Sequence, residues 1–107
     1  MSISAYLKVK IQKERMRQLE YQYPIDHNWS TDEIIDVIRF FEKVEQAYGK
    51  GIDRDILLTL YNRFKEIVPS KAQEKTLCAE FEEVSGYSSY RTIKKARDAN
   101  SGSIIRM

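Results

Sequence analysis

Cysteine, histidine and tryptophan each occur once in this chain, proline twice and glycine four times. Each shortage closes a class of explanation. With Cys78 alone there is no intrachain disulfide and no cysteine-based zinc site, and a solitary helical cysteine is ordinarily a small core hydrophobe in a reducing compartment. With His27 alone, neither a multi-histidine metal site nor a histidine-paired acid–base couple can be assembled. The glycines at 49, 51, 86 and 102 form neither a P-loop nor a dinucleotide fingerprint. Scarce glycine and proline also favour long helices over a turn-rich β protein. No apolar run approaches the roughly 20 residues of a membrane span. Near the start, Leu7, Val9 and Ile11 are interrupted by Lys8 and Lys10 instead of forming a signal core. The expectation is a soluble cytoplasmic protein without membrane contact.

What is present suits a single folded unit. Of 107 residues, 42% are hydrophobic and 32% charged, enough apolar material for one core and too little chain for two domains. The net charge of +2 conceals a pattern. Residues 1–20 carry five basic and two acidic side chains, residues 21–86 eight and thirteen, and residues 87–107 five and one. Basic ends flank an acidic middle. Either oppositely charged helices neutralise each other, or the ends meet a polyanion.

Four helices are predicted after residue 30. The first opens on a capping box, Ser30 with Glu33, and carries an apolar stripe of Ile34, Val37, Ile38, Phe41, Val44 and Tyr48 up to Gly49 and Gly51. Asp53 caps the second, with Ile56, Leu57, Leu60, Tyr61, Phe64, Ile67 and Val68 on one face and Pro69 as its stop. Ser70 with Gln73 predicts a capping box for the third, whose face is Ala72, Leu77, Phe81 and Val84 and whose end is Gly86. Ser88 or Ser89 starts the fourth, with Tyr90, Ile93 and Ala96 inward and a short tail after Gly102. Connections this short place consecutive helices side by side, so the expected fold is all-α, a small antiparallel bundle of four helices with an N-terminal extension. Residues 1–20 are expected to form that basic, helical extension, and residues 21–107 one helical domain led in by an aromatic-rich stretch around Pro24.

Three segments point to a family. Tyr23-Pro24-Ile25-Asp26 before Trp29-Ser30-Thr31, then residues 64–72 (Phe-Lys-Glu-Ile-Val-Pro-Ser-Lys-Ala), then Ser85-Gly86-Tyr87-Ser88-Ser89-Tyr90-Arg91 occur in that order. Over residues 21–107 the chain resembles uncharacterised protein family 0223 of low-GC Gram-positive bacteria. The resemblance implies a compact all-helical domain and brings no activity, cofactor or site residue. Residues 1–20 depart from the family pattern, which makes Met16 a candidate start.

No catalytic constellation emerges. Glu42 with Glu45, and Glu80 with Glu83, stand one helical turn apart, yet the Glu-x-x-His unit of helical di-iron sites is absent. Cys78 has no histidine partner, and no metal, cofactor or enzymatic role is expected. Two binding candidates remain. Tyr87, Ser88, Ser89, Tyr90 and Arg91, running on to Lys94, Lys95 and Arg97, combine a helix N-terminus, hydroxyls, cations and aromatic rings, the ingredients for an anion or nucleic acid. The competing reading makes them ordinary caps and core tyrosines. Tyr21, Tyr23 and Trp29 either offer a protein partner an aromatic patch or cover one end of the bundle. The expected function is a non-enzymatic protein-interaction module, its partner another protein or its own copy. Nucleic-acid or ribosome association through the basic fourth helix is the alternative, weakened if Arg91, Lys94, Lys95 and Arg97 pair with Glu80, Glu82 or Glu83.

Overall fold

The computed structural model describes residues 21–107; the expected N-terminal extension lies outside the described residues. The chain forms α1 (Thr31–Ala47), β1 (Ile52–Asp53), α2 (Arg54–Ile67), α3 (Lys71–Ser85), α4 (Ser89–Asp98) and β2 (Ile104–Ile105). This is the expected small all-α domain, with one small addition.

Local hydrogen bonding sets the helix boundaries. The Ser30 hydroxyl accepts from the Glu33 N–H at 3.1 Å while the Glu33 carboxylate accepts from the Ser30 N–H at 2.8 Å, completing the capping box. Asp53 accepts from the Asp55 and Ile56 N–H groups. Ser70 caps α3 through the Gln73 N–H, but no second box forms. The Gln73 side chain instead donates to Asp26 at 3.2 Å, tying the lead-in to the start of α3. Gly86 ends α3 at φ 82°, the left-handed conformation in which a Cβ is costly.

Aromatic rings bind the layers together. Phe40 stacks on Phe64 at 4.8 Å, Phe41 stacks on Phe81 at 4.5 Å, and all four are fully buried. Tyr23 extends the cluster, stacked against both Phe41 and Phe81. Each such pair contributes about 0.5–1.5 kcal/mol beyond the area it buries.

The addition is a two-residue antiparallel bridge, Ile52 opposite Ile105 and Asp53 opposite Ile104. It turns the expected short tail into a strap. The Arg54 N–H donates to the Ser103 carbonyl and the Met107 N–H to the Ala47 carbonyl, each at 2.8 Å. Arg106 donates to the Lys50 carbonyl, and the Arg54 side chain to the Ala96 carbonyl near the end of α4. The strap holds α4 against α1 and α2.

Three helix faces differ from expectation. Ile56 and Val84, read as inward, are about half exposed. On α4, Tyr90 points outward and the buried face is Ser89, Thr92, Ile93 and Ala96. Thr92 can be buried because its hydroxyl donates to the Ser88 carbonyl at 2.7 Å. The small side chains let α4 approach its neighbours closely, where the Tyr90 ring would not fit.

Candidate anion-binding groove

A groove of about 730 Å³ runs between α2, α3 and α4. Lys65 from α2, Lys71 and Lys75 from α3, and Lys94 and Arg97 from α4 bring positive charge to its lining; Glu74, Glu82 and Asp98 bring negative. Lys94 lies 3.7 Å from Asp98. Among the described residues, the other four cations have no carboxylate within ion-pair distance. Lys65 and Arg97 instead sit over the Tyr61 ring, 5.5 and 5.4 Å from its centre. The Tyr61 hydroxyl donates to Glu74 at 2.7 Å. Burial, reinforced by that carboxylate, pushes Tyr61 up to about 12.

Cys78 and Ser89 line the same groove. Burial pushes the Cys78 thiol up to about 11, Glu74 adds to the rise, and the neighbouring Ser89 hydroxyl opposes it. Ser89 is only 2% exposed, and its hydroxyl lies against the Cys78 thiol. Among the described residues it makes no hydrogen bond to nitrogen or oxygen, which leaves the weakly polar thiol as its neighbour. Tyr90 also lines the groove and is 74% exposed, an aromatic ring left in water.

The eight residues singled out around α4 therefore divide. Ser89, Tyr90, Lys94 and Arg97 converge on the groove. Ser88 is occupied as the N-cap, accepting from the Arg91 N–H at 3.1 Å, while its own N–H donates to the Tyr48 hydroxyl. Tyr87 stacks on Tyr48 at 4.5 Å, and Lys95 donates to the Arg106 carbonyl at 2.6 Å. Arg91 is exposed outside the groove lining. Among the described residues, none of Arg91, Lys94, Lys95 and Arg97 pairs with Glu80, Glu82 or Glu83. Sequence reasoning missed Lys65, Lys71 and Lys75. The four-residue spacing of Lys71 and Lys75 marks one face of α3, but only the tertiary packing shows that this face looks towards α4.

The aromatic lead-in is packed. Tyr23 is 7% exposed, with its hydroxyl 2.8 and 2.9 Å from the two Glu45 carboxylate oxygens. Tyr21 donates to the same carboxylate and packs edge-on against Phe81. Burial first, then Glu45, raises the Tyr23 hydroxyl far above the ordinary phenol range. Trp29 is partly buried against the core, and His27 is exposed. Among the described residues no group of three His, Cys, Asp or Glu side chains could hold a metal ion, and no helix is long and apolar enough to cross a membrane.

Fold and groove together define a small helical domain with a cation-rich cleft. Residues 20–105 match the uncharacterised protein family UPF0223. A UPF0223 protein of Bacillus pumilus is 63% identical over 89 residues, covering 83% of this chain and all of the relative. The UPF0223 protein YktA of Bacillus subtilis is 59% identical over 86 residues, 80% of this chain and 98% of its own length. The UPF0223 protein OB1419 of Oceanobacillus iheyensis is 57% identical over the same length and shares of the two chains. The chain belongs to the UPF0223 family, whose function is not established.

Proposed function

We propose that this protein is a non-enzymatic interaction module that captures an anionic partner in the groove between α2, α3 and α4. The observation that carries the reading is the convergence of Lys65, Lys71, Lys75 and Arg97 on one cleft with no carboxylate partner among the described residues. Like charges gathered from three helices repel one another, and an anion in the cleft relieves that repulsion. A non-enzymatic role is supported by the two perturbed groups in the lining. Cys78 and Tyr61 are both shifted towards their neutral forms, the direction opposite to an activated nucleophile. A cytosolic setting fits the free thiol of Cys78.

The test is an amide-shift titration by NMR with heparin as a generic polyanion. Shifts confined to Lys71, Lys75, Cys78 and residues 89–97 are the expected result. Shifts confined to α1 and the strap, or none at all, refute the groove as the site.

A further inference from the structure

Resting on that reading, we infer that the anion is single-stranded nucleic acid, with backbone phosphates on Lys65, Lys71, Lys75 and Arg97 and a base stacked on Tyr90. Charge alone does not choose between a phosphodiester strand and an acidic peptide; the rest of the lining does. Tyr90 is 74% exposed on the groove wall, and a lone exposed ring offers the π-face on which bases stack without regard to sequence. Glu74, Glu82 and Asp98 stand among the cations. These carboxylates repel either anion, and in a nucleic acid base amino groups such as cytosine N4 offset that by donating hydrogen bonds to them. A lining of mixed sign therefore matches a ligand carrying anionic oxygens along one edge and N–H donors along the other.

The floor adds an independent observation. Ser89 is buried beside the Cys78 thiol, with no hydrogen bond to nitrogen or oxygen among the described residues. It stands in the first turn of α4, beside Tyr90. A phosphate oxygen at this end of the groove meets the positive end of a ten-residue helix. The Ser88 side chain cannot compete for that oxygen, being committed to the Arg91 N–H. A duplex hides its bases and would touch only the rim of a cleft of about 730 Å³, so the strand is single.

The experiment is fluorescence anisotropy of a 5′-labelled 12-nucleotide single-stranded RNA of mixed sequence, titrated with the full chain at several salt concentrations. Each groove phosphate contact contributes about −0.7 to the slope of log K against log salt. The double variant Lys71→Gln/Lys75→Gln is expected to flatten that slope by about 1.4, while Lys71→Arg/Lys75→Arg retains it. Tyr90→Ala is expected to weaken binding about fivefold or more at fixed salt, the low end of one lost base stack. RNA binding that none of these substitutions alters overturns the inference, because the strand then lies elsewhere on the chain. A 12-residue poly-glutamate peptide and a duplex RNA are titrated alongside. Peptide binding that Lys71→Gln/Lys75→Gln abolishes, with no RNA binding, overturns the nucleic-acid assignment and leaves the groove reading intact. Failure of every ligand to bind overturns both.

Discussion

Replacing Gly51 with alanine is expected to destabilise the domain by about 2–3 kcal/mol, against about 1 kcal/mol for the same change at Gly86. Both glycines have positive φ, 98° and 82°, so both substitutions incur the left-handed penalty of about 1–2 kcal/mol. Their surroundings differ. A Cβ on Gly86 meets nothing within 4 Å, whereas one on Gly51 falls 2.8 Å from the Ile104 Cγ2, with Arg106 Nε and the Ile105 carbonyl oxygen at 3.4 Å. The Ile104 side chain is 58% exposed and can turn away, at about 0.5–1.5 kcal/mol for an off-rotamer position. The strap backbone cannot follow without loosening the β1–β2 bridge.

Thermal unfolding followed by circular dichroism measures the difference. At about 4–8 °C per kcal/mol for a domain of this size, Gly51→Ala should lower the midpoint by roughly 10–20 °C and Gly86→Ala by about half of that or less. The double variant Gly51→Ala/Ile104→Ala isolates the clash. Ile104→Ala alone changes a mostly exposed side chain and should stay near about 0.5 kcal/mol. Combined with Gly51→Ala it should return about 1 kcal/mol of the loss, a favourable coupling between touching residues. Strict additivity of the two changes would refute the reasoning, since the strap would then not press on Gly51.

Ser30→Ala removes the N-cap of α1 and should cost about 1 kcal/mol by the same melt, whereas Glu33→Gln, which still accepts from the Ser30 N–H, should stay close to the parent. Phe81→Ala empties the ring position shared by Tyr21, Tyr23 and Phe41; a loss of about 3–5 kcal/mol leaves little residual stability, to be read in urea titrations. Raising the Cys78 thiol from 9.0 to about 11 lowers its thiolate fraction at pH 8 about a hundredfold. Alkylation by iodoacetamide should therefore rise about tenfold per pH unit up to about pH 10, and levelling off by about pH 10, as a thiol at 9.0 would, would contradict the burial. The sign for stability follows: burying the neutral thiol contributes fully below about pH 9, and that contribution is lost as pH rises towards about 11.

How much could be read from sequence depended on the range of the determining interaction. Ser30, Asp53, Ser70 and Ser88 act on N–H groups two or three residues away, so the order of residues displays the caps directly. Gly86 likewise announces its helix end locally. The β1–β2 bridge depends on partners 53 positions apart, Ile52 and Ile105, and on strands of two residues, too short for any periodicity. The face of α4 misled for a different reason. Tyr90 carries more apolar area than Ser89 or Thr92, but Thr92 satisfies its hydroxyl within the helix and the tight approach excludes a ring. The Gln73 amide could accept from the local Ser70 N–H or donate to the distant Asp26 carboxylate, and the tertiary bond is the one that forms. For the groove, the basic character of α4 was legible. The contributions of Lys65, Lys71 and Lys75 arise only when α2, α3 and α4 meet.

The manner in which the groove cations are held bears on what they can do. A lysine or arginine bound to a carboxylate must exchange that partner for a ligand, and the exchange returns little free energy. Lys65 and Arg97 rest instead on the Tyr61 ring, an attraction of about 0.5–1 kcal/mol at exposed sites that leaves the guanidinium and ammonium hydrogens unspent. The ring itself is fixed, 8% exposed and anchored through its hydroxyl to Glu74. Two flexible side chains are thus restrained without being neutralised, which reduces the ordering cost that a ligand must otherwise meet. The strap completes the arrangement, because Arg54 and Lys95 are consumed in holding α4 and the tail in place. Arg54 and Lys95 thus have donors already bound to the protein, whereas Lys65, Lys71, Lys75 and Arg97 on the groove keep their charge for a partner.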